Sequence, residues 1–160
     1  MKSNFLLIFV FLFLFSCKKE NKFAANDWRK ISTNVQYQMF PDGFKLKSGK
    51  FTYNISSFKL PYKKVILLNA SLVGYFTELG LEEKIIGISS PEYVYSEKIH
   101  QLLKEGKIQN IGNEQKYDVE KMIALKPDVI FTNYIASFEN TYDLIKKNGI
   151  EIIFLDEYLE

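Results

Sequence analysis

The chain has 160 residues, room for one domain or at most two. Its net charge of +2 provides no basic face for nucleic acid or an anionic membrane surface. One cysteine, Cys17, and one histidine, His100, exclude a disulfide framework and a cysteine-built metal site, and leave little for nucleophilic catalysis.

At the amino end, Lys2 precedes an unbroken apolar run over residues 5–15, followed by Ser16-Cys17-Lys18-Lys19-Glu20. As a helix that run spans roughly 16 Å, well short of a hydrocarbon core about 30 Å thick. It therefore suits a secretory signal better than a membrane span. Leu14-Phe15-Ser16-Cys17 resembles a bacterial lipoprotein signal, with leucine at −3, a small residue at −1 and cysteine at +1. That resemblance implies a signal peptide over residues 1–17 ending at the lipidated Cys17, with 18–27 as a polar tether. The chain is then expected to be exported and held at the cell envelope by its lipid, on the periplasmic face or the cell surface.

Between residues 28 and 60, aromatic and β-branched residues recur between turn signals. Pro41-Asp42-Gly43 and Lys47-Ser48-Gly49-Lys50 separate candidate strands over 35–40, 44–47 and 51–55, a small antiparallel lead-in. From Pro61 the period changes. Residues 64–68 read as a buried strand, Asn69-Ala70-Ser71 as a loop and cap, and Leu72, Tyr75, Phe76 and Leu79 as a helix stopped by Gly80. Residues 84–88 are the next strand and 89–95 a loop. Ser96 caps a helix with Ile99, Leu102 and Leu103 on one face, ended by Gly106.

Residues 110–133 carry a loop, a short helix capped by Asp118 with Val119, Met122 and Ile123 on one stripe, a stop at Pro127, and a strand over 129–131. A helix over 141–148 ends at Gly149, and 150–155 form a last strand. Strands alternating with helices predict an α/β fold, a three-layer αβα Rossmann-like lobe on a parallel sheet, over residues 61–160.

Ligands of such sheets gather beyond the carboxyl ends of the strands. Those ends carry Asn69 and Ser71, then Ser90, Tyr93 and Tyr95, then Asn113, then Asn133 and Tyr134, and finally Asp156, Glu157 and Tyr158. Amides, hydroxyls and phenols dominate, and these first eight residues are the candidate ligand contacts. No Gly-x-Gly-x-x-Gly, no phosphate-binding Gly-Lys-Ser/Thr loop and no Gly-x-Ser-x-Gly elbow occurs. His100 falls off the apolar face of its helix and reads as a solvent-exposed histidine, and the acidic residues read as helix-start or surface carboxylates. No catalytic constellation is expected, so an enzyme on a doubly wound sheet is the weaker reading.

Three segments resemble the periplasmic-binding family for iron-siderophore complexes, haem and vitamin B12, the substrate-binding lipoproteins of ABC importers. Lys64-Val-Ile-Leu-Leu-Asn-Ala-Ser, Glu78-Leu-Gly-Leu and Lys84-Ile-Ile-Gly-Ile-Ser match its first strand, turn and second strand. Asn110-Ile-Gly and Asp118-Val-Glu-Lys-Met-Ile-Ala-Leu-Lys-Pro-Asp-Val-Ile match its central signature, and Asn148-Gly-Ile-Glu-Ile-Ile-Phe-Leu-Asp its first-lobe closure. The resemblance implies two lobes, of which this chain carries the N-terminal one, truncated at the inter-lobe helix.

It also implies that Glu120 docks against arginines of the membrane permease. The ligand implied is a metal chelate: a ferric siderophore, haem or cobalamin. Asn69-Ala70 stands where the family often has Ser-Pro, and no arginine lies among the candidate cleft residues. A lipid-anchored interaction or decoy protein, keeping the docking face without transport, is the alternative from another class.

Overall fold

The computed structural model describes residues 27–155. The candidate lipidation site Cys17, and Asp156, Glu157 and Tyr158, lie outside the described residues.

The lead-in is a four-stranded antiparallel meander in chain order. Its strands are β1 (Arg29–Lys30), β2 (Val35–Phe40), β3 (Gly43–Ser48) and β4 (Phe51–Ser56). Two-residue turns at Pro41-Asp42 and Gly49-Lys50 set the register, pairing Phe40 with Gly43 and Ser48 with Phe51. The strands run one residue beyond the sequence reading at several ends, which is where ladders fray.

The lobe follows as β5 (Val65–Leu67), α1 (Ala70–Glu78), β6 (Ile85–Ile88), α2 (Glu97–Lys104), β7 (Gln109–Asn110), α3 (Val119–Leu125), β10 (Val129–Thr132), α4 (Glu139–Lys147) and β11 (Glu151–Phe154). Between β7 and α3 a small hairpin of β8 (Gly112–Asn113) and β9 (Lys116–Tyr117) folds where the sequence suggested only loop. Gly112 makes that hairpin possible. Its φ is +96°, and a Cβ there would stand 2.3 Å from the Lys116 carbonyl oxygen.

Five strands form one parallel sheet in the order β11-β10-β5-β6-β7. Alternation along each strand divides the core into two layers. Val65, Leu67, Val129 and Ile153 face Leu72 and Val73 of α1 and Ile99 and Leu102 of α2. Ile66, Leu68, Ile130 and Ile152 face Met122 of α3 and Tyr142 and Ile145 of α4. Helices therefore cover both faces, giving the expected α/β three-layer lobe.

The caps read from the sequence form as side-chain hydrogen bonds. Asn69 Oδ1 accepts from the Ser71 N–H, Ser96 Oγ from Ile99 and Asp118 Oδ1 from Lys121. Ahead of Pro127, Lys126 takes a left-handed φ of 50° and closes α3.

The lead-in wraps the lobe. Leu46 and Ile55 join the α1 and α2 layer, while Phe51 and Tyr53 pack against the α3 and α4 layer. Tyr53 Oη accepts the Phe154 N–H at 2.8 Å, and Lys59 pairs with Glu151 at 2.9 Å. Strand β11, at the edge of the sheet, is thus covered rather than exposed.

Candidate functional site

Strand order reverses at β5: the chain proceeds to β6 and β7 on one side, then returns to β10 and β11 on the other. In open α/β sheets the crevice at such a reversal, at the carboxyl edge, is the usual ligand position. Here the ladder runs one step past the strand ends, with the Leu68 N–H donating to Phe131 O and the Leu155 N–H donating to Thr132 O.

Beside the reversal, at the carboxyl ends of β10 and β11, lies a cavity of about 370 Å³. Asn133, Tyr134, Phe154 and Leu155 line one wall, and Ser48, Gly49, Lys50 and Phe51 of the β3–β4 turn line the other. The rings form a box. Phe51 lies 4.7 Å from Phe154 and 5.2 Å from Tyr134, and Tyr134 meets Phe154 edge-on at 5.3 Å, all centroid to centroid. Lys50 Nζ stands 4.2 Å from the Tyr134 centroid and 5.2 Å from that of Phe51.

Behind this wall, Tyr142 Oη donates to the Asn133 carbonyl at 3.5 Å, and burial pushes the Tyr142 phenol up, favouring the protonated donor. Asn133 Oδ1 is buried and makes no hydrogen bond.

The candidate contacts share this edge of the sheet but not one surface. Asn69 and Ser71 satisfy each other at the start of α1, with the Ser71 hydroxyl 2.7 Å from Asn69 Oδ1. Asn113 Oδ1 accepts from the Gln115 and Lys116 N–H groups within its hairpin. Ser90 is buried with φ 49°, and its N–H donates to Gly112 O. Tyr93 and Tyr95 are 67% and 95% exposed and flank the buried Val94, whose carbonyl lies 2.6 Å from His100 Nε2.

Only Asn133 and Tyr134 reach the cavity. Lys50 and Phe51 were missed by the sequence reading because they belong to the lead-in, whose placement no local pattern encodes. The Ser-Gly-Lys turn was legible; its position against Tyr134 was not.

His100 corrects the sequence reading. It is half-buried and ties its helix to the Val94 loop rather than facing solvent. Glu82 is likewise buried instead of superficial, with Lys98 Nζ at 3.3 Å.

Glu120 is exposed and lines a separate open depression of about 710 Å³ with Asn110, Lys116, Tyr117 and Asp118. Neighbouring Lys121 pairs with Asp118 at 3.4 Å, and among the described residues no cation pairs with Glu120.

No protein-family model matches the sequence, and no curated protein matches it. Solved structures do. The iron uptake ABC transporter substrate-binding protein PiuA of Streptococcus pneumoniae is similar over 70% of this chain and 36% of its own, with 20% identity and a TM-score of 0.50. The FhuD protein from S. pseudintermedius aligns over 70% of this chain and 36% of its own, with 26% identity and a TM-score of 0.49. A periplasmic haem-binding protein from Pseudomonas aeruginosa aligns over 59% of this chain and 31% of its own, with 20% identity and a TM-score of 0.48. The chain shares the fold of the matching part of PiuA, and it spans about a third of the length of these three solved chains.

Proposed function

We propose that this chain is the N-terminal, ligand-binding lobe of a substrate-binding lipoprotein of an ABC importer. It captures a metal chelate (a ferric siderophore, haem or cobalamin) and passes it to the membrane permease. The observation that supports this reading most is the position of the aromatic cavity: it opens at the carboxyl edge of a three-layer sheet, next to the reversal of strand order. Tyr134, with Asn133, is its core, and Tyr93 and Tyr95 stand exposed elsewhere on the same edge of the sheet. A second lobe closes over this edge and supplies the other half of the burial that a tightly held ligand needs.

Two further parts belong to the proposal. Cys17 carries the lipid that holds the exported protein at the cell envelope. Glu120, whose charge is left uncompensated beside the Lys121–Asp118 pair, docks against permease cations. The test is a titration of the full chain with a ferric siderophore, haemin and cyanocobalamin, read by quenching of Trp28 and tyrosine fluorescence. Saturable quenching by at least one is expected; no response to any of them contradicts the reading.

A further inference from the structure

We infer that the β3–β4 turn is part of the ligand site and that Lys50 makes the site selective for an anionic chelate bearing aromatic or carboxylate arms. This rests on the chelate-binding reading above and narrows it.

Four observations carry it. The turn is distant in sequence from the strand ends it faces, yet it supplies half of the cavity lining. Among the described residues Lys50 is the one charged residue of that lining, and no described carboxylate side chain lines it. Among the described residues no acid pairs with Lys50, whereas Lys59, Lys98, Lys107 and Lys121 each hold one. Its ammonium instead rests over the Tyr134 ring at 4.2 Å, which holds a long, exposed side chain at the cavity mouth with its charge unneutralised.

A cation poised this way over aromatic walls attracts an anion whose rings can stack on Phe51 and Tyr134. A catecholate chelate or a porphyrin with carboxylate arms has that chemistry. A cationic hydroxamate chelate lacks the charge, and a neutral corrinoid gains nothing from Lys50.

The experiment titrates the full chain as wild type, Lys50→Glu, Lys50→Arg and Tyr134→Ala. The probes are a hexadentate ferric tris-catecholate, haemin, the cationic ferrioxamine B and cyanocobalamin. Lys50 is exposed in a turn, so its variants should keep the far-UV circular dichroism of the wild type. The wild type should bind the tris-catecholate or haemin at least about tenfold more tightly than ferrioxamine B, and added salt should weaken that binding. Lys50→Glu should lose about tenfold for the anionic probe and keep its affinity for the others, while Lys50→Arg should retain the preference.

Unchanged anion binding by Lys50→Glu, with loss in Tyr134→Ala, would overturn the Lys50 assignment and leave the cavity as the ligand site. Tightest binding of ferrioxamine B or cyanocobalamin by the wild type would overturn the anion preference alone. Failure of every probe to bind the wild type would remove the chelate-binding reading and this inference with it.

Discussion

Asp128 and Lys64 hold each other twice. The Lys64 N–H donates to Asp128 Oδ2 at 2.9 Å, and the Asp128 N–H donates to the Lys64 carbonyl at 2.9 Å. The same carboxylate oxygen accepts the Lys63 N–H at 2.6 Å. The clamp joins the amino ends of β5 and β10, the two strands between which the strand order reverses. It gives a physical reason for an aspartate directly after the helix-stopping proline. The carboxylate feeds donors that a parallel sheet would otherwise leave unpaired at its end.

Asp128→Ala should therefore cost about 1–2 kcal/mol in chemical denaturation. The effect should depend on pH. Hydrogen bonds from Lys63 and then Lys64 hold the Asp128 carboxyl below the usual carboxylate range. Its contribution is therefore fully present above about pH 4, where the unfolded aspartate is ionised, and is lost as pH falls through the folded value. The variant and wild type should converge in stability at strongly acid pH; a constant difference throughout would contradict the clamp.

Tyr53 fastens the lead-in to the lobe. Desolvation pushes its phenol up to about 12, so it stays protonated while its oxygen accepts the Phe154 N–H. Tyr53→Phe leaves that N–H unpaired and should cost about 1–2 kcal/mol. Hydrogen exchange at the Phe154 amide should accelerate in the variant; unchanged protection would show that the contact is dispensable.

His100 positions the loop that displays Tyr93 and Tyr95. Its ring nitrogen meets the Val94 carbonyl at 2.6 Å, and Val94 itself is buried between the two exposed tyrosines. His100→Ala should cost about 1 kcal/mol and speed amide exchange across residues 92–95, with α1 unaffected. Uniform acceleration throughout the lobe would indicate a global rather than a local role.

For Glu120 the prediction separates folding from transport. Glu120→Arg changes an exposed first-turn residue, so the cost to the helix dipole is about 0.3–1 kcal/mol. Ligand binding should be retained, while uptake into cells carrying the importer is abolished. Normal uptake by that variant would remove the docking role.

The elements of the lobe were legible because their signals are local. Asn69, Ser96 and Asp118 announce helix starts through hydrogen bonds spanning two or three residues, and Pro127 stops a helix by its own ring. The sequence marked residues 64–68 as a buried strand, and the structure divides its apolar run between the two layers, Val65 and Leu67 on one face and Ile66 and Leu68 on the other. Half of the candidate site was less legible. Asn69, Ser71 and Asn113 have polar side chains because turns and caps use them, and a sequence does not separate that use from ligand contact. Lys50 and Phe51 reach the cavity only through packing of the lead-in against β11, a contact such as Tyr53 to Phe154 that bridges 101 positions. No periodicity reports a contact of that range. For the same reason Glu82 and His100 read as surface residues, although Lys98 and the Val94 carbonyl draw them inward.

The central claim is that the ligand enters the aromatic cavity at the carboxyl ends of β10 and β11. Backbone amide shifts of the isotopically labelled chain during titration with haemin's diamagnetic gallium analogue test it most directly. The account predicts saturable shifts concentrated at Lys50, Phe51, Asn133, Tyr134 and Leu155. Shifts confined to the depression around Lys116 and Glu120, with those five amides unmoved, would contradict it.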